Sequence, residues 1–216
     1  MLRSTKTLTA LGMLCALAYI VVCAFRIPIV LFLKYDPKDV VIVIGGFLFG
    51  PLSALLISAV VSLLEMLTIS DTGPIGLIMN VLSTAAFACT ASLVYQMRHT
   101  LRGAVVALLL GGLMMTAVMM LWNFLITPLY MGFPREAVVE LLLPAFLPFN
   151  LLKAGLNATV TLLLYKPVVT VLRRAGLVEP SVRKVETSKR PTGVMLLSAA
   201  SLVTLVILAL VMKGVL

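Results

Sequence analysis

Residues 146–166 read FLPFNLLKAGLNATVTLLLYK, and this stretch decides the fold class. It is apolar enough to lie in a bilayer, yet Asn150, Lys153 and Asn157 recur in it at i, i+3 and i+7. That spacing gathers an amide, an ammonium and a second amide on one helix face. A lysine within a membrane helix is costly unless it meets a partner, a cavity or a ligand. The face therefore reads as a functional site, and its groups point to a polar small molecule.

The rest of the chain fits the same reading. Of its 216 residues, 62% are hydrophobic and 12% are charged, and the apolar residues come in long blocks. Soluble domains do not have that balance. The expected fold is all-α, a polytopic helical membrane protein. The first apolar run begins close to Arg3 and Lys6 and ends without a small-x-small cleavage site, so it reads as a retained helix rather than a signal peptide.

Outward from the quoted stretch, spans are expected at about 7–25, 52–69, 74–95, 103–130 and 137–172, with a short helix at about 40–49. Pro144 and Pro148 interrupt the start of the sixth helix. A basic cytoplasmic linker at 176–192 follows a six-helix unit at 1–175, and the apolar run at 193–216 is long enough to cross once more.

Lysine and arginine orient the bundle. With the N-terminus in the cytoplasm, eleven of them (Arg3, Lys6, Arg98, Arg102, Lys166, Arg173, Arg174, Arg183, Lys184, Lys189, Arg190) lie inside. Five (Arg26, Lys34, Lys38, Arg135, Lys213) lie outside, beside Asp36, Asp39, Asp71, Glu136 and Glu140. The formal charge of +9 is explained by such loops and by anionic lipid, and nucleic acid is not an expected partner. Cys15, Cys23 and Cys89 fall inside apolar helices, and His99 has no ligand spacing around it. Neither a metal nor a redox role is expected. There is no phosphate-binding GxxxxGK[ST] loop, no HExxH and no GxSxG. The halves show no repeat of the kind common in secondary transporters.

In this orientation Glu65, Asn80, Asn123, Asn150 and Lys153 all lie in the outer halves of their helices. Such a concentration describes an outward-facing pocket, whereas a pore needs polar lining at every depth. Four of these also have a plainer reading. Asn80 could be a packing amide, Glu65 could reach the outer interface, and Asn123 beside Trp122 could be an interface anchor. Lys153 could snorkel, or pair with Glu65 or Glu140. On the first helix, Ala10, Gly12 and Ala16 form a small-residue stripe that suits close approach of another helix, within the chain or from a partner.

The segments TALGMLCALAY, FLKYDPKDVVIVIGGFLFGP, DTGPIGLIMN and PFNLLKAGLN together resemble the substrate-binding S components of energy-coupling factor (ECF) vitamin transporters, the riboflavin-specific type most closely. The resemblance covers about residues 5–175 and implies six helices around a vitamin pocket near the outer face, covered by the loop after the first helix. It implies uptake of riboflavin as a transported ligand, with no cofactor and no catalysis by this chain. It also implies a prokaryotic plasma membrane location and two kinds of partner, a membrane-coupling subunit and two cytoplasmic ATPases. Toppling of the S component in the bilayer is the release step it implies. Carried over by motif position, Asn123, Asn150, Lys153 and backbone near Leu33 contact the ring, and Ala10, Gly12 and Ala16 meet the coupling subunit; Asn80 joins the substrate-binding residues from its outer-half position alone. Phe32, Tyr35, Trp122 or Phe149 would cover the ring faces. Leu77 stands where several relatives have an acidic residue, and the seventh helix lies outside the six-helix pattern. Other readings are an S component for another vitamin or precursor such as pantothenate, and a membrane-embedded enzyme or structural protein.

Overall fold

A computed structural model describes residues 5–31, 33–132, 134–174 and 192–214. Phe32 and the expected linker, apart from Thr192, lie outside the described residues. The chain runs α1 (Thr5–Ala24), β1 (Ile27–Val30), β2 (Leu33–Tyr35), α2 (Lys38–Phe49), α3 (Pro51–Thr68), α4 (Gly73–Met97), α5 (Leu101–Met131), α6 (Arg135–Leu141), a π-helical turn (Leu142–Phe146), α7 (Leu147–Arg174) and α8 (Thr192–Met212). Among the described residues, α1, α3, α4, α5 and the α6–α7 unit are each long and apolar enough to cross a membrane.

The bundle is organised around α2. Its 12 residues span only about 18 Å, too short to cross a hydrocarbon core of about 30 Å. Its sequence is apolar on every side after the first turn, the pattern of a helix enclosed by others. It packs against α1, α3, α4 and α7 and is buried from Lys38 to Phe47. Gly46 lets α4 approach closely: a Cβ there would sit 2.0 Å from the Ser92 hydroxyl. Gly50 has φ +96°, a conformation that favours glycine, and Pro51 then starts α3. Below this turn, Phe47 stacks on Tyr95 with centroids 4.2 Å apart, and the Tyr95 and Tyr165 hydroxyls are 3.1 Å apart. These rings floor the bundle at the Gly50 end.

The segment after α1, expected as a loop, holds a short pair of strands within the helical fold. IPIV and LKY pair as an antiparallel hairpin with a bulge between Pro28 and Val30. Side-chain ties fasten the hairpin to the α3–α4 turn. Arg26 donates to the Ile69 carbonyl at 2.5 Å, and Lys34 pairs with Asp71 at 2.5 Å. The expected break near Pro144 and Pro148 takes the form of the π turn. Proline cannot supply the next ladder hydrogen bond, and a wider turn accommodates it.

Candidate binding site

Two charged side chains enter the bundle from the first turn of α2. Lys38 and Asp39 are adjacent in sequence, so they point about 100° apart and address different helices. Lys38 forms an ion pair with Glu65 of α3, and Asn80 of α4 donates to the other Glu65 oxygen at 3.3 Å. Asp36 lies 3.9 Å from the same ammonium. Asp39 turns toward α4 and α7. Its Oδ1 accepts from Thr84 at 2.7 Å. Its Oδ2 accepts from Asn157 at 3.0 Å and pairs with Lys153 at 3.3 Å.

Several expectations are corrected here. Lys38 and Asp39 are fully buried and do not act as orienting loop charges. Glu65 is 1% exposed, far from an interface position, because the Lys38 ammonium holds it inside. Lys153 pairs with Asp39 instead of Glu65 or Glu140. Asn80 commits its N–H to Glu65. Buried charges are tolerable only when paired and hydrogen-bonded, and this arrangement meets that condition for both lysines.

Asn123 and Asn150 are buried, and each donates to the carbonyl four residues back on its own helix, Met119 and Phe146, at 2.8 Å. Thr127 donates to the Asn123 Oδ1 at 2.9 Å. Thr127 also lines a cleft between α4 and α5, with Thr72, Ile75, Gly76, Met79, Trp122 and Ile126. The cleft encloses about 260 Å³ of atom-free space, open solvent included. Gly76 keeps its wall thin, since a Cβ there would collide with the Thr72 hydroxyl at 1.7 Å. Leu33 of the hairpin packs in one apolar cluster with Phe149 and Leu152, the neighbours of Asn150 and Lys153. Tyr35 lies close enough to Asp39 and Asp36 to feel both. Burial, with those carboxylates adding, pushes its hydroxyl well above the usual range, so it stays a donor.

The structure thus brings Lys153 and Asn157 together on Asp39, and sets Leu33 against the same turn of α7. Trp122 lines the neighbouring cleft, and Asn123 is tied to it through Thr127. Asp36, Lys38, Asp39, Thr84 and Thr127 were not singled out from sequence. The signal for the first three was YDPKD directly before an apolar helix too short to span. The small-residue stripe divides. Ala10 is fully buried against the bundle, while Gly12 and Ala16 are exposed, with open space around the Gly12 position.

A family-wide sequence profile for the substrate-specific component of ECF transporters matches residues 6–165. The chain belongs to this family. As an S component it is similar to the riboflavin transporter RibU of Staphylococcus aureus (strain TCH60), 29% identical over 80% of this chain and 95% of that one. It is also similar to the riboflavin transporter FmnP of Bacillus subtilis (strain 168), 28% identical over 72% of this chain and 87% of that one. Among solved structures, the S component of a bacterial ECF transporter superposes with a TM-score of 0.66 at 28% identity, covering 78% of this chain and 98% of that one. The S-component family is one of transporter substrate-binding subunits that work with an ECF module, and this chain is a membrane-embedded member of it.

Proposed function

We propose that this S component captures riboflavin at the outer face of a prokaryotic plasma membrane for ECF-driven uptake. The hairpin end faces outward and the N-terminus lies in the cytoplasm. A membrane-coupling subunit and two cytoplasmic ATPases supply the energy, and the chain itself catalyses no reaction. Gly12 and Ala16 are the exposed small residues offered to the coupling subunit.

The observation that carries the ligand class is the charge count inside the bundle. Three buried carboxylates, Asp36, Asp39 and Glu65, face two buried ammonium groups, Lys38 and Lys153. Two buried acceptors, Asp36 Oδ1 and Asn157 Oδ1, have no hydrogen-bond partner among the described residues. A site with acceptors to spare and an excess of acid suits a neutral, hydroxyl-bearing ligand. A carboxylate vitamin would add a second uncompensated charge in a low-dielectric setting. Riboflavin is neutral and carries a polyol chain, and the relatives named as riboflavin transporters support the choice.

The ring's uracil-like edge offers carbonyl acceptors and one N–H donor. Lys153 supplies donors only, and Asn123 and Asn150 supply both kinds, with backbone near Leu33 completing the set. Trp122, Tyr35 and Phe149 cover the ring faces. Asn80 acts at the edge of the site through Glu65. Asp39 anchors Lys153 from one side, which leaves the other ammonium hydrogens for ligand carbonyls.

The test is absorbance and fluorescence of the detergent-purified chain through a riboflavin titration. Co-purified yellow ligand, or saturable quenching near one flavin per chain, supports the assignment. Folded protein that leaves flavin fluorescence unchanged removes it.

A further inference from the structure

The family profile ends at residue 165, and the solved S component is 98% covered by 78% of this chain. The six-helix unit is therefore complete without α8, yet α8 does not stand apart from it. Leu202, Leu205, Ala209 and Met212 share one face of α8 and pack into the apolar cluster that holds Ile29 and Leu33 of the hairpin with Phe149 and Leu152 of α7. The opposite face, with Val203, Val206, Ile207 and Val211, is exposed and suits lipid.

The seat on α7 is close. A Cβ at Gly155 would lie 3.1 and 3.3 Å from the two Leu205 methyl groups. Gly155 is two residues from Lys153 and two from Asn157, which puts it on the back of the turn whose front carries those side chains. α8 also touches β1 directly. The hairpin is thus held on two sides. The α3–α4 turn holds it through the exposed Lys34–Asp71 pair and Arg26, and α8 holds it through buried apolar contact.

We infer that α8 is a built-in strap, which pins the hairpin cover to the back of the substrate helix and slows opening of the pocket. A bare membrane anchor would have no need to reach the hairpin or to nest on Gly155. The inference concerns the cover itself, and its primary readout needs no ligand, so it stands or falls separately from the riboflavin assignment.

The test is amide hydrogen exchange on the full-length, ligand-free chain carrying Leu202→Ala and Leu205→Ala, compared with the wild type. The strap predicts exchange at residues 27–31 and 33–35 about tenfold faster, with residues 84–95 of α4 unchanged. Release of bound riboflavin in a chase experiment speeds up in parallel, while the preference for riboflavin over an analogue lacking the ring N–H stays the same. Faster exchange confined to α8, with the hairpin at its wild-type rate, overturns the inference. Should the double variant fail to fold, Leu205→Ala alone gives the same comparison, with a smaller shift in the hairpin expected and none refuting.

Discussion

Replacing Asp39 by asparagine isolates charge from shape. In the wild type, Asp39 accepts from Thr84 through one oxygen, and from Asn157 and Lys153 through the other. An asparagine can keep the neutral bonds by turning its oxygen toward Asn157 and Lys153 and its NH₂ toward the Thr84 hydroxyl, which can accept. What it cannot supply is the negative charge for Lys153. Removing one partner of a buried ion pair typically destabilises by about 3–5 kcal/mol, and the retained hydrogen bonds place Asp39→Asn near the lower figure, about 3 kcal/mol. The assay is unfolding of the detergent-solubilised chain, run as a double-mutant cycle with Lys153→Met. Lys153→Met removes the stranded ammonium, so the double variant should be more stable than Asp39→Asn alone. Flavin binding should stay weak in both, because the ligand donor is misplaced or absent. Strictly additive stabilities, or a single-variant loss below about 0.5 kcal/mol, would refute the pairing argument.

Further outcomes follow from the same geometry. Lys153→Met by itself should weaken riboflavin binding well over tenfold in a fluorescence titration, since a desolvated site that matches hydrogen bonds loses strongly when one is removed; unchanged affinity would end its assignment as a ligand donor. Gly46→Ala puts a methyl against the Ser92 hydroxyl and should destabilise by about 1–3 kcal/mol, with Ser92→Ala in the same chain recovering part of the loss in a thermal melt. The hydrogen bond and charge of Lys34 hold the Asp71 carboxyl below its ordinary value. The stabilisation this tie gives the hairpin is therefore present above the ordinary aspartate range and is lost as pH falls through the lowered folded value. Hairpin hydrogen exchange, corrected for the intrinsic pH dependence, should accelerate at low pH and at high salt in the wild type but not in Asp71→Asn.

The sequence made the α7 face legible because helical periodicity alone gathers Asn150, Lys153 and Asn157, and apolar block lengths announced the spans. The burial of Asp39 is not legible in the sequence, for a physical reason. Charges just before an apolar run usually sit at the membrane surface, and only the shortness of α2 carries them inward among other helices. The same holds for Glu65, whose burial depends on Lys38 being carried inward with α2. The hairpin lay hidden in RIPIVLFLKY, where Pro28 and the bulge break the alternation that marks a strand. Ala10 stands two residues from Gly12, about 200° around the helix, so one faces the bundle when the other faces out.

The placement of the buried charges explains why one short helix serves both fold and site. Apolar residues in place of Lys38, Glu65, Asp39 and Lys153 would pack as well and in many proteins better, because desolvating an ion pair offsets most of its attraction. Stability alone does not account for them. What the pairs provide is direction: each fixes the angle of one neighbour, α3 through Lys38 and α7 through Asp39, with α4 tied to both by Asn80 and Thr84. An apolar contact tolerates rotation of a helix by a fraction of a turn, whereas a three-donor carboxylate does not. The same bonds that fix α7 also point Lys153 and Asn157 along one face, so the donors are placed before any ligand arrives. A ligand then meets a site whose ordering has been completed by folding, and less of its binding free energy is lost to immobilising side chains.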